Sequence, residues 1–402
     1  MHTNPDLMIL RDSPVRILLY SHDSWGLGHL RRTLNIAAGL TRSFRRASAL
    51  IVSGSPSATQ FRCRERVEVV KLPSVTKTSQ GAYDVRTLGV DYPDLMQLRT
   101  RLILESFRAY HPTLVIVDHQ VIGLNGEVLP LLREARDTGV RTILGLRDIV
   151  DDPAVVDREW SSSEHRWALT EGYDQVCVYG DPEIFDPRVE YRPLKEISHR
   201  VEFTGYVARP AKPITRMRFE QPHVLVTVGG GEDGSSRILA YLDGLSATPG
   251  EWKTDVITGP LIPTADYKRI RLLARTLGSV KVHRFHPDVP GMLSRASAVV
   301  SMSGYNTTVE ILQSACPSVL LPRVFPRTEQ LIRADRLSRL GLARLLVERE
   351  PLALRRAVEE VLAAPPPRSS YPSMDGLRNL SRIAAELLSF PNSLAALACT
   401  RN

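Results

Sequence analysis

The chain predicts an α/β fold of two Rossmann-like, doubly wound parallel-sheet domains, on three observations. Strand-sized apolar runs alternate with helical stretches almost from end to end, the pattern of parallel sheets covered by helices. Several of those runs end in glycine-containing turns just before a helix, at Gly26-Leu-Gly28, Gly229-Gly-Gly231 and Ser303-Gly304. The length, 402 residues, is too great for one ordinary domain and suits two of about 200 each.

In the first half, strands are expected at Val15–Ser21, Ser48–Ser53, Val67–Leu72, Leu114–Asp118, Thr142–Leu146 and Gln175–Tyr179, with helices at His29–Thr41, Tyr92–Tyr110, Gly126–Thr138 and Ala154–Gly172. The first helix repeats Leu30, Leu34, Ala37 and Ala38 on one face, as a helix packed on a sheet does. Pro73–Asp91 is polar and aperiodic and reads as a long loop over the cleft. Near residues 200–215 the texture changes to a short strand at Val201–Thr204 and a linker, Arg209-Pro-Ala-Lys-Pro213. A second alternation follows, with strands at Val224–Val228, Thr254–Thr258, Val280–Phe285, Ala298–Met302, Ser318–Leu321 and Arg344–Val347. It ends in a helix at Leu352–Ala363, a Pro-rich piece and a last amphipathic helix at Gly376–Leu388. The expected domains are 1–205 and 206–363, with residues 364–402 forming the Pro-rich connection and a C-terminal helix that can cross back to the first domain. Two such domains would face each other across a cleft lined by strand carboxyl ends, where these sheets bind ligands.

Composition narrows the function. Hydrophobic residues make up 43% of the chain, yet no run approaches the ~20 apolar residues of a membrane span. The N-terminal residues carry Asp6 and Asp12 and lack the basic and apolar regions of a signal peptide, so the cytoplasm is the expected compartment. Cys63, Cys177, Cys316 and Cys399 have no paired spacing for zinc or a disulfide framework. The net charge of +8 comes mostly from arginines scattered in ones and twos, among them Arg31-Arg32 and Arg99/Arg101. Without basic runs interleaved with aromatics, a nucleic-acid groove is excluded, and a solvated surface is expected for most of these arginines.

The motifs point to a nucleotide. After the strand at Ala298–Met302, Ser303-Gly304 permits a sharp turn, and Thr307 and Thr308 stand where a helix start offers N–H groups and positive dipole to an anion. Glu310, about one turn on, can accept hydrogen bonds from a ribose diol. Gly229-Gly-Gly231 forms an anion nest after another strand; no GK[ST] follows it and it is not GxGxxG, which disfavours Walker-type and NAD binding. In the first half, Gly26 and Gly28 close a turn that places His29 at a helix start, where a neutral, basic imidazole is favoured. His22-Asp23 can orient or cap that turn, and Asp118-His119 and Arg147-Asp148 end strands that point at the same cleft. His119 and Asp148 divide between substrate contact and scaffolding, and Asp152 reads as a helix N-cap. No Asp-x-Asp, HExxH or GxSxG pattern occurs, so no metal ligand set is expected.

Together these residues resemble the MurG-like class of GT-B glycosyltransferases. The likeness is strongest over residues 200–345, through Phe203-Thr-Gly205, Gly229–Gly231, Phe285–Leu293, Ser303–Glu310, Ala315-Cys-Pro317 and Gln330, and weaker around Gly26-Leu-Gly-His29. It implies that Glu310 holds the ribose hydroxyls while Gly229, Gly230, Gly231, Ser303, Gly304 and Thr307 surround the diphosphate. It further implies that backbone near His286 meets the base, that Gln330 meets the donor sugar, and that Gly28 lies in the glycine-rich turn presenting His29 to the acceptor hydroxyl. His119, Arg147 and Asp148 would line the acceptor side. The implied reaction is a single inverting displacement from a nucleotide-sugar donor, UDP preferred, to a hydroxyl acceptor, with no metal and no cofactor. A lipid-linked acceptor would bring peripheral membrane contact.

The sequence departs from the family pattern at Arg327-Thr-Glu329-Gln330 and at Gly231-Glu-Asp-Gly234, which leaves the donor sugar open. The first glycine turn also resembles the UDP-sugar hydrolase of the pseudaminic acid pathway. A hydrolase or a non-hydrolytic epimerase of the same fold, or a non-catalytic nucleotide-sugar binding protein, are the alternatives.

Overall fold

A computed structural model describes residues 14–22, 28–60, 63–77, 83–209, 221–364 and 372–389 of the chain. The expectations for Asp23–Gly26, for the Pro210–Pro213 part of the linker, for most of the Pro-rich piece and for Cys399 fall outside them. The described residues divide into two compact units: one up to Pro182, with Asp186–Val207 and the segment from Asp375 on, and one of Glu183–Phe185 and Ala208–Met374.

The first unit holds β1 (Val15–Ser21), β2 (Ala47–Ser53), β3 (Val67–Lys71), β4 (Val75–Lys77), β5 (Tyr83–Val85), β6 (Leu114–Asp118), β7 (Arg141–Arg147), β8 (Gln175–Tyr179) and β9 (Val201–Phe203). Seven of these form a parallel sheet in the order β3-β2-β1-β6-β7-β8-β9. Winding starts at β1, goes out to β3, then returns to the other side of β1 with β6. The register aligns Ser21 with Asp118 and Asp118 with Gly145, so β1 and β6 end level and β7 runs two residues further, to Arg147. Ile17, Leu18, Leu19, Val115, Ile116 and Val117 are all buried. Continuous burial of this kind marks strands covered on both faces.

The second unit repeats the plan with β10 (His223–Thr227), β11 (Lys253–Ile257), β12 (Val280–His283), β13 (Ala298–Ser301), β14 (Ser318–Leu320) and β15 (Arg344–Leu345), all parallel, in the order β12-β11-β10-β13-β14-β15. Val224, Val226, Ile238, Leu242, Val256, Val300, Val319, Leu354 and Val358 fill its core. Tyr241 is buried there with its hydroxyl satisfied by Trp252 Nε1 at 2.9 Å and Thr254 Oγ1 at 2.8 Å.

The last helix, Gly376–Ser389, belongs to the first unit. Leu380, Ile383 and Ala384 are its buried face. Ser43 Oγ donates to Ser381 Oγ at 3.0 Å, and Asn379 Nδ2 donates to the Thr204 carbonyl at 2.7 Å. Leu377 lies so close to Gly39 that a Cβ there would stand 3.0 Å from Leu377 Cδ2.

Several elements differ from the sequence reading. The helix expected over Ala154–Gly172 is broken into Pro153–Glu159, Ser163–Trp167 and a π-type turn at Ala168–Gly172. Ser162 caps the second piece by accepting from the His165 N–H, and so competes with a continuous helix. Asp152 caps the first piece, accepting from Ala154 N. Pro73–Asp91 is not wholly loop, because β4 and β5 pair antiparallel within it. The helix expected from Gly126 begins at Leu129, after a 3₁₀ turn at Leu124–Gly126 in which Gly126 has φ +82°. The remaining strand ends shift by a residue or two.

The solvated-surface expectation fails for Arg99. Its side chain is wholly buried on the Tyr92–Tyr110 helix, donating to Glu127 through Nε to Oε2 and through Nη2 to Oε1, both at 2.7 Å. Tyr20 OH adds a third bond to Glu127 Oε1 at 2.6 Å, and Pro73 O accepts from Arg99 Nη1 at 2.5 Å. Removing one partner strands the other charge in the core. Arg99→Ala is expected to lower stability by about 3–5 kcal/mol, measured by urea unfolding, whereas Arg108→Ala at an exposed ion pair moves it by less than about 1 kcal/mol.

Candidate functional site

In the first unit the start of the helix after β1 meets the end of β6 where the winding reverses, the position at which open parallel sheets bind ligands. Gly28 and His29 open the helix Gly28–Ser43. His29 Nδ1 lies 2.7 Å from Asp118 Oδ2 at the end of β6. A carboxylate can only accept, so Nδ1 carries the proton and Nε2 keeps its lone pair. Arg32, one turn along the same helix, grips the same carboxylate with Nε to Oδ1 at 2.9 Å and Nη2 to Oδ2 at 2.7 Å. That Nη2 is also 3.0 Å from His29 Nδ1, a contact between two donors that both answer to Asp118.

Burial tends to raise the Asp118 pKa, but Arg32 and His29 outweigh it and hold the carboxyl well below its usual range. Burial brings the His29 imidazole down to about 4 against the opposing pull of Asp118, so it is a neutral base at pH 7. His22 and His119 flank it, with ring centroids 5.4 Å and 5.1 Å away. Both are pushed well below the ordinary histidine range, first by burial and then by His29 and Arg147 respectively. Arg147 Nη2 sits 2.8 Å from His119 Nε2, so that nitrogen accepts and His119 carries its proton on Nδ1. His119 also has φ +68°, a left-handed conformation that costs a non-glycine residue energy.

In the second unit the corresponding reversal lies between β10 and β13. Gly229, Gly230 and Gly231 follow β10, with φ +68° at Gly229 and +97° at Gly231. A Cβ on Gly231 would lie 2.2 Å from the Thr258 carbonyl, so only glycine fits that approach. After β13, Ser303 has φ +63° and is fully buried. Arg333, also fully buried, reaches from the helix Glu329–Arg339 to donate to the Ser303 carbonyl at 2.9 Å. Gly304 is the N-cap of the helix Tyr305–Ser314, and a Cβ built on it meets nothing within 4 Å. Ser303 Oγ and Thr308 Oγ1 are buried with no hydrogen-bond partner among the described residues.

The predicted residues fall as follows. His29, His119 and Arg147 come together, and Asp118, which the sequence offered only as a strand end, joins them. Asp148 is separate: it is wholly buried, accepting from Tyr206 OH at 3.0 Å and from Ile149 N at 2.8 Å, and belongs to the scaffold. Arg32 is 2% exposed, which corrects its reading as a solvated surface cation. Ser303, Gly304 and Thr307 share one turn; Thr308 lies past it, because its N–H already donates to the Gly304 carbonyl at 2.9 Å. Glu310 is partly buried on the same helix. Gln330 stands at the start of the Arg333 helix, its Oε1 accepting from Arg323 N at 3.0 Å. His286 follows the edge strand β12, its Nδ1 accepting from Asp288 N at 3.2 Å. Among the described residues no cluster of His, Cys, Asp or Glu could hold a metal ion, and no helix is long and apolar enough to cross a membrane.

With all three imidazoles neutral in the fold, the unfolded chain binds more protons below pH 6.5. Stability therefore rises with pH between about 4 and 6.5 and is lost on acidification, by up to about 1.4 kcal/mol per pH unit for each imidazole. His29 is expected to titrate near pH 4 by NMR, and His29→Gln to flatten the pH dependence of the urea midpoint.

No protein-family model matches the chain. Over 312 residues, 74% of this chain and 75% of the relative, it is 25% identical to the UDP-N-acetylglucosamine--N-acetylmuramyl-(pentapeptide) pyrophosphoryl-undecaprenol N-acetylglucosamine transferase of Exiguobacterium sp. (strain AT1b). The protein of the same name from Exiguobacterium sibiricum is 28% identical over 145 residues, 35% of this chain and 39% of that protein. Among solved structures, the glycotransferase of kitacinnamycin superposes with a TM-score of 0.59 at 18% identity, over 94% of this chain and 96% of its own. MurG of Acinetobacter baumannii gives 0.57 at 13% identity, over 96% and 98%. A ugt transferase from Siraitia grosvenorii, solved in complex with UDP, gives 0.58 at 13% identity, over 92% and 94%. At these identities the structures establish a common fold, and the Exiguobacterium relative adds a distant sequence kinship. The chain has the fold of the GT-B glycosyltransferases and is similar in sequence, distantly, to a MurG-type transferase.

Proposed function

We propose that this protein is a nucleotide-sugar glycosyltransferase that moves a hexose-type sugar from a UDP-linked donor to a hydroxyl acceptor, with inversion and without a metal. The observation that carries the reading is the His29–Asp118 pair: a neutral imidazole whose proton-bearing nitrogen is fixed by a carboxylate and whose other nitrogen is a base. Nε2 of His29 takes the acceptor proton as that oxygen bonds to the anomeric carbon. The anomeric C–O bond to the diphosphate breaks on the opposite side, and its electron pair leaves with the nucleotide. Asp118 stabilises the imidazolium that forms, and Arg32 keeps Asp118 ionised.

The leaving diphosphate is held by amides of Gly229–Gly231 and by the helix start at Gly304–Thr307, fixed dipoles that need no reorganisation as charge develops. Glu310 accepts from the ribose hydroxyls. UDP is favoured because the Exiguobacterium relative is named for a UDP-sugar and the Siraitia grosvenorii structure contains UDP.

Two experiments test this. In a thermal-shift panel of nucleotides, UDP is expected to raise the melting temperature and Glu310→Ala to abolish that shift; no shift from any nucleotide sinks the reading. In turnover, His29→Ala and Asp118→Asn are each expected to lower kcat by about 10²–10⁴-fold. UDP release must depend on added acceptor, since acceptor-independent release would mark a hydrolase.

A further inference from the structure

The helix Leu129–Thr138, the π-type turn Ala168–Gly172 and the 3₁₀ turn Ser198–Arg200 line a cavity of about 490 Å³ at the amino ends of β7 and β8. A volume of that size accommodates a small metabolite. The strand β7 separates it from the chemistry proposed above. Arg141 opens that strand and Arg147, beside His119, closes it, about 20 Å further on.

Three arginines line the cavity, Arg136, Arg141 and Arg200, together with two carboxylates, Glu171 and Asp174. Two of the cations are answered by those carboxylates. Arg136 pairs with Glu171, and Arg141 Nη1 donates to Asp174 Oδ1 at 3.2 Å. The other oxygen of Asp174 is taken by Thr142, whose N and Oγ1 donate to it at 2.8 Å and 3.1 Å.

Arg200 has no carboxylate partner among the described residues. Its Nη1 donates to the carbonyls of Thr170 at 2.6 Å and Tyr173 at 3.5 Å, which holds the guanidinium against the end of the π-type turn. Nε and Nη2 make no bond among the described residues. Those two nitrogens form one edge of the guanidinium. It is the edge that Arg32 sets against Asp118 and Arg99 against Glu127 in this same chain. Two parallel N–H donors in a plane fit two oxygens of one carboxylate or phosphate. Holding two carbonyls accounts for Nη1; it accounts neither for the unused edge nor for a third positive charge set against two negative ones.

We propose that this cavity binds a small organic oxyanion, a carboxylate or a phosphate ester, gripped by the Nε–Nη2 edge of Arg200 while Arg136 and Arg141 add to the positive field. The site is independent of the sugar-transfer reading, and neither needs the other.

The test is an NMR titration of the full chain with sodium phosphate and, separately, sodium malonate at constant ionic strength. The reporters are the backbone amides of residues 139–142 and 170–174, which line the cavity, so an anion held at the Gly229–Gly231 turn does not register. Saturable shifts are expected at these amides, and the tighter of the two anions says whether the natural ligand presents phosphate or carboxylate. Arg200→Gln and Arg200→Lys are each expected to weaken that binding about tenfold, because lysine keeps the charge and a carbonyl bond but has no planar fork. Arg108→Gln, at an exposed ion pair elsewhere in the unit, leaves it unchanged within about twofold. Melting temperatures within a few degrees of wild type, on the order of 2–4 °C, identify the variants as folded, and either Arg200 variant suffices should the other fall short. Shifts that saturate with neither anion, or that saturate equally in wild type and the folded Arg200 variants, overturn the inference and leave the proposed function untouched.

Discussion

Each sheet starts winding at an inner strand, goes out to one edge and returns to the other side of that strand, so two turns far apart in sequence must meet beside it. In the first unit this brings the His29 turn against Asp118, 89 positions away. In the second it puts the Gly229–Gly231 turn, after β10, beside the Ser303–Gly304 turn, after β13. The parallel register then decides which residues emerge at that level. Ser21 opposite Asp118 leaves the next residues of both strands at a common edge, where amides and side chains are no longer used by the ladder. The proposed chemistry rests on that reversal.

Burying charge at such an edge requires neutralisation on the spot, and the chain does this with arginine. Arg32 forks onto Asp118 and Arg99 onto Glu127, and Arg333, buried like them, donates through Nη1 to the Ser303 carbonyl. The planar fork suits both carboxylate oxygens at once, which a lysine cannot do. The consequences differ by place. Arg99–Glu127 fixes the Tyr92–Tyr110 helix and leaves no capacity for a ligand. Arg32–Asp118 leaves Asp118 able to hold His29, so a structural ion pair becomes the support of a base.

These arginines also explain where the sequence was opaque. The βαβ alternation, the glycine turns and the C-terminal helix are local patterns, and their strands were readable to within a residue or two. Gly28, His29, Ser303 and Gly304 were readable for the same reason, as they sit where an apolar run stops at a glycine. Arg32, Arg99 and Arg333 lie inside helices of a chain rich in scattered arginine, and nothing local separates them from solvated neighbours. Their burial is decided by a carboxylate or carbonyl that arrives through the sheet order. Asp118 was visible as a strand end, and it is the order β3-β2-β1-β6 that brings it to His29. Asp148, with the same strand-end signature one strand over, is claimed instead by Tyr206.

The two edges share one further property. Each carries a non-glycine residue forced into the left-handed region, His119 in one unit and Ser303 in the other, and each of these has a buried polar atom without a partner among the described residues. Glycine would relieve the strain at either position, so the side chain itself is what the position retains. At Ser303 the twist lets the chain leave β13 and enter the next helix within three residues, with its carbonyl turned to Arg333 and its hydroxyl left over. At His119 it lets Arg147 hold one ring nitrogen while the ring stacks toward His29. A strained backbone with an unspent donor is a poor way to stabilise a fold and a sound way to keep a polar group ready, and on the proposed reaction both turns lie where such a group is used.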